Sequence, residues 1–137
     1  MIYLTGDTHG RFERIGIFCD KMQTSRDDIL IILGDAGINF HAGALDILRK
    51  EYLAKLPITL LCIHGNHERR PESLPYYDEQ EWYGGKVYVE ARYPNTIVTP
   101  SATSSYPHSE NKYGRISTSL SPSTRMPLRA NIASLDF

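Results

Sequence analysis

ILIILGDAG, residues 29–37, decides the fold. Its first five residues are apolar without a break, and the run stops at Gly34-Asp35. The same arrangement recurs on either side. Upstream, IYLT (residues 2–5) runs into GDTHG (6–10); downstream, ITLLCI (58–63) runs into HGNHE (64–68). Short unbroken apolar runs suit strands covered on both faces, as in parallel sheets, better than half-exposed strands, which alternate.

Between the runs lie two stretches with helical spacing. Phe12, Ile15, Phe18, Cys19 and Met22 form one apolar stripe, and Ala44, Leu45, Leu48, Tyr52 and Leu53 form the other. Strand, helix, strand, helix, strand predicts right-handed crossovers and three parallel strands, the βαβαβ start of a layered α/β fold. Pro57 fits the turn into the third strand, since proline ends helices and is tolerated at a strand's first position.

Beyond residue 70 the pattern weakens. Residues 71–84 mix Pro, Tyr, Glu and Asp and read as a long surface excursion, whereas KVYVEARY (86–93) alternates enough for a strand. From Thr96 onward Ser, Thr, Pro and Asn dominate with no sustained period. That composition buries little apolar surface and predicts a poorly ordered segment. The expected organisation is a partial α/β domain over residues 1–95 and a tail over 96–137.

At 137 residues the chain has room for one domain. Fifteen Lys and Arg against 16 Asp and Glu leave a net charge of −1 without a basic patch, so nucleic acid is not the expected partner. No stretch reaches membrane-spanning length, and the first apolar run starts at residue 2, too early for a leader. Cys19 and Cys62 match no CxxC pattern and read as buried free thiols in a reducing compartment. The expected location is the cytoplasm.

In an open parallel sheet, ligands bind outside the carboxyl ends of the strands. Asp7, His9, Asp35, Asn66 and His67 all follow strand ends, so they should meet at one edge. Two carboxylates, an imidazole and an amide oxygen suit Mn, Fe or Zn rather than copper(I) or an iron–sulfur cluster. Asp7 and His9 can face one ion, Asp35 can bridge to another, and Asn66 can offer its carbonyl oxygen to the second. Two ions roughly 3.5–4 Å apart can clamp a phosphoryl group and deliver an activated water. His67 adjoins a ligand and could protonate the leaving group.

GDTHG, GDAG and GNHE, in this order and each after an apolar run, resemble the calcineurin-like metallophosphoesterase family. The resemblance implies an α/β sandwich, with Asp7 and His9 on the first metal, Asp35 bridging and Asn66 on the second. His67 would be the catalytic acid or phosphate contact, in a hydrolase cleaving phosphoesters by attack of a metal-activated water. It also implies further histidines in a Gly-His-x-His element of the C-terminal half. Residues 71–137 contain no such element and only His108. The expected state is therefore a fold whose second half is truncated or disordered and whose second metal shell is incomplete. An unpaired sheet edge would then invite self-association. The alternative is a non-catalytic remnant that binds metal or a phospho-ligand.

Other residues carry weaker signals. His64, at a strand end, reads as a satisfied core or edge histidine, and His41 as a loop residue on the metal side. Arg11, Arg69 and Arg70 could receive phosphate oxygens. Tyr76, Tyr77, Trp82 and Tyr83 read as packing anchors.

Overall fold

The computed structural model describes residues 1–41 and 43–101. Its elements are β1 (Ile2–Thr5), α1 (Glu13–Met22), β2 (Ile29–Ile32), α2 (Ala44–Lys55), β3 (Thr59–Cys62), β4 (Asp78–Trp82), β5 (Gly85–Val89) and β6 (Thr96–Val98). They form one six-stranded sheet in the order β1-β2-β3-β6-β5-β4. The expected βαβαβ unit is present, with β1, β2, β3 and β6 parallel, β5 antiparallel to β6 and β4 antiparallel to β5. Among the described residues no helix is long and apolar enough to cross a membrane.

Register sets which face carries the core. Tyr3, Leu30 and Leu60 lie in one row, Thr5, Ile32 and Cys62 in another two residues on, and both rows face the same side. On that side Leu30, Ile32, Leu60 and Cys62 pack with Phe12, Ile15, Phe18, Cys19 and Leu53. Each fully buried Leu, Ile or Phe contributes about 1.5–3 kcal/mol. Both cysteines are free and buried, as the sequence predicts. α1 ends where Gln23 turns left-handed, its N–H donating to the Cys19 carbonyl, a cap that satisfies a carbonyl the helix leaves open.

Three elements depart from the sequence reading. α2 forms, but it buries Asp46, Lys50 and Leu53, while Leu45, Leu48 and Tyr52 are exposed. The reason is a buried ion pair: Lys50 Nζ donates to Glu90 Oε2 at 2.8 Å and lies 4.8 Å from the ring centroids of Tyr76 and Tyr77. A paired head and a covered stem let a lysine take a core position, so Leu45, Leu48 and Tyr52 of the stripe lie on the exposed side and only Leu53 faces in.

Residues 71–84, expected as an excursion, contain β4, which pairs with β5 through Tyr83-Gly84. Both turn residues have positive φ (49° and 79°), the geometry of a two-residue hairpin whose twist matches its strands. β4 is a sheet edge with Asp78–Glu81 exposed, so no apolar alternation announces it. Finally, the boundary expected at Thr96 falls on β6, whose three residues are buried between β3 and β5. Asn95 leads into it, its amide donating to the carbonyls of Leu53 and Ile58. Residues 102–137, the rest of the expected tail, lie outside the described residues.

Candidate metal centre

The loops after β1 and β2 are zipped together by their backbones. His9 N–H donates to Asp35 O at 2.9 Å and Gly10 N–H to Ala36 O at 2.8 Å. The Thr8 hydroxyl also donates to Ala36 O, at 2.7 Å. Gly37 is required at this seam: its φ is +88°, and a Cβ there would fall on the backbone of His9 and Gly10. His9 (φ 47°) and Asp35 (φ 38°) are themselves left-handed, a conformation costing an ordinary residue about 1–3 kcal/mol. Such outliers concentrate where side-chain placement matters more than local stability.

The loop after β3 closes on the same point. His67 N–H donates to Asp35 Oδ1 at 3.0 Å, tying the third motif to the second. Gly65 makes the approach possible, since a Cβ there would occupy the space of the Asp35 carboxylate and backbone nitrogen.

The result brings Asp7, His9 and Asp35 together, one ligand atom from each within 4.8 Å of the others. Asp7 and His9 are exposed and Asp35 is buried, so one ligand is fixed and two can adjust. These side chains stand close enough together that they would hold one divalent ion among them. His9 Nε2 already lies 3.7 Å from Asp7 Oδ2. Oxygen, nitrogen, oxygen is a donor set that suits a divalent ion, and the residues fit one. Asn66 is exposed on the closing loop, and the His67 ring lies with its centroid 6.3 Å from that of His9.

Two residues that the motifs alone leave without a role hold this arrangement. Glu68 Oε1 accepts from Gly37 N–H at 2.8 Å and Ile38 N–H at 3.2 Å, while Oε2 faces Gly65 N–H at 3.4 Å. Burial pushes its carboxyl above the usual range, opposed by those three backbone donors. Glu68 thus latches the second loop to the third. Arg49, on α2, donates to Gly37 O at 2.9 Å and covers Gly10, so it clasps the first two loops. The only sequence signal for either was proximity: Glu68 follows GNH, and Arg49 is the single arginine of α2.

The remaining sequence candidates divide. His64 is held at the edge as expected, its N–H donating to Thr99 Oγ1 and its ring nitrogen bonded to Glu68 O. His41 joins His9, Asp35, Arg49, His67 and Glu68 around a cavity of about 320 Å³. Arg69 and Arg70 are exposed, and the Arg69 backbone N–H donates to Asn39 O. Tyr77 and Trp82 pack against the two core clusters, as anchors should, whereas Tyr83 is 73% exposed on the hairpin turn.

A parallel sheet carrying acidic and histidine ligands on converging loops at its strand ends defines a class of metal-binding α/β proteins. The chain belongs to the family described as calcineurin-like phosphoesterase, whose profile matches residues 1–126. That match continues past residue 95, the expected end of the partial domain. No curated protein and no solved structure matches the chain.

Proposed function

We propose that this chain is a metal-dependent phosphoesterase, holding a first Mn, Fe or Zn ion with Asp7, His9 and Asp35 and a second between Asp35 and Asn66. The observation that supports it is the convergence of Asp7, His9 and Asp35 at the strand ends of a family member. When bound, such ions stabilise the charge of the phosphoryl group and supply an activated water. The chain's own residues do the rest. Asp35 has its carboxylate fixed through Oδ1, which accepts from the His67 N–H. His67, exposed at the rim of the smaller cavity, gives its proton to the leaving oxygen. Glu68 and Arg49 keep the loops from drifting, which matters because a displacement near 1 Å can cost about 100-fold in rate.

The buried free thiols suit a reducing compartment, and the cytoplasm is the proposed location. β1 stands at the sheet edge, where a second copy could pair, and sedimentation would show this as a concentration-dependent dimer. The function is tested by Mn²⁺-dependent hydrolysis of a chromogenic phosphoester. The expected result is activity that disappears on chelation and in Asp35→Asn. Metal binding without turnover would support the remnant reading instead.

A further inference from the structure

A second and larger cavity, of about 540 Å³, opens beside β1 and α1. Asp7, His9, Arg11 and Arg14 line it, and the buried Ile15 and Phe18 close it off from the core. Since His9 also lines the smaller cavity, the metal-ligand cluster stands between the two. Taken with the phosphoesterase reading, on which it rests, the geometry points to a phosphodiester substrate. Its leaving arm faces His67 in the smaller cavity, and its retained arm lies in the larger one and carries a second phosphate.

Size and charge both support this assignment. A phosphomonoester has one organic arm and needs one cavity, whereas a diester has two arms on the same phosphorus. The larger cavity is of the size that holds small-molecule ligands, about 300–1,000 Å³, and exceeds what a lone phosphate fills. Arg11 and Arg14 are both exposed, and both line this cavity. Guanidinium forks match phosphate oxygens bidentately. Together these features describe a diester whose retained arm carries a second phosphate.

The bonds balance as an ordinary hydrolysis. The water oxygen forms a new bond to phosphorus while the bond from phosphorus to the oxygen facing His67 breaks. That oxygen leaves as an alcohol with the His67 proton. The water releases its proton to solvent, from which His67 is reprotonated. The retained product is a bisphosphate, one phosphate at the metal ligands and the other at Arg11 and Arg14.

Calorimetric titration with adenosine 3′,5′-bisphosphate and with 5′-AMP, in EDTA and again in Mn²⁺, tests the subsite directly. The expected result is at least tenfold tighter binding of the bisphosphate. That preference should be lost in Arg11→Glu and reduced in Arg11→Gln, a milder change at an exposed position. Equal affinity for the two probes, or a preference that survives Arg11→Glu, overturns the assignment. Hydrolysis of bis(p-nitrophenyl) phosphate and of p-nitrophenyl phosphate separates this inference from the reading beneath it. Metal-dependent turnover without bisphosphate preference removes the subsite and leaves the phosphoesterase. Bisphosphate preference without turnover of either ester keeps the subsite and removes the enzyme.

Discussion

Glu68 offers the sharpest test of how the site is held. In Glu68→Ala, the N–H groups of Gly37 and Ile38 lose an acceptor at 2.8 and 3.2 Å, and Gly65 loses a weaker one at 3.4 Å. A hydrogen bond to a charged group contributes about 1.5–3 kcal/mol, so the two shorter bonds are together worth roughly 3–6 kcal/mol gross. Against this stands the cost of burying the carboxylate, visible in its raised pKa. A net loss of about 2–4 kcal/mol is the result. Glu68→Gln keeps one oxygen for Gly37 and Ile38 but can turn an amide N–H toward the Gly65 N–H, and should lose about 1 kcal/mol. Urea unfolding measures both variants, with Mn²⁺ affinity measured alongside. Metal binding should weaken in Glu68→Ala, although Glu68 is not among the proposed ligands. Stability within about 0.5 kcal/mol of the parent and unchanged Mn²⁺ affinity would refute the latch; that size is typical of surface substitutions away from such features.

Other outcomes follow from the same geometry. Gly65→Ala should leave the fold intact at a loss of about 1–3 kcal/mol from overpacking, yet abolish high-affinity Mn²⁺ binding, because its Cβ displaces the Asp35 carboxylate; circular dichroism and metal titration check both halves. Lys50→Met should destabilise by about 3–5 kcal/mol by stranding Glu90, while Lys50→Met with Glu90→Leu should recover most of the loss in denaturant unfolding. Burial raises the Cys62 thiol well above its ordinary range. Its contribution to stability is therefore full below the unfolded thiol pKa of about 8.5 and is lost as pH rises toward the folded value. Cys62→Ala should flatten that alkaline decline by up to about 1.4 kcal/mol per pH unit, seen in unfolding curves between pH 8 and 10.

The parallel half of the sheet is legible because β1, β2 and β3 are apolar on both faces, a pattern few other elements produce. The convergence of Asp7, His9 and Asp35 was legible for a topological reason: successive parallel strands deliver their carboxyl ends to one edge. α2 misleads because periodicity counts apolar residues and not paired charges, and here Lys50 and Glu90 occupy the interior together. β4 is hidden because an edge strand exposed on both faces needs no alternation. The roles of Glu68 and Arg49 depend on backbone groups of loops distant in sequence, which leave no spacing to read.

Elemental analysis of the chain after Mn²⁺ loading and removal of free ion, run beside Asp35→Asn, addresses the central claim most directly. Two ions per chain in the parent and fewer than one in Asp35→Asn are predicted, since Asp35 belongs to both proposed shells. No retained metal in the parent, or equal metal in the two proteins, would contradict the account.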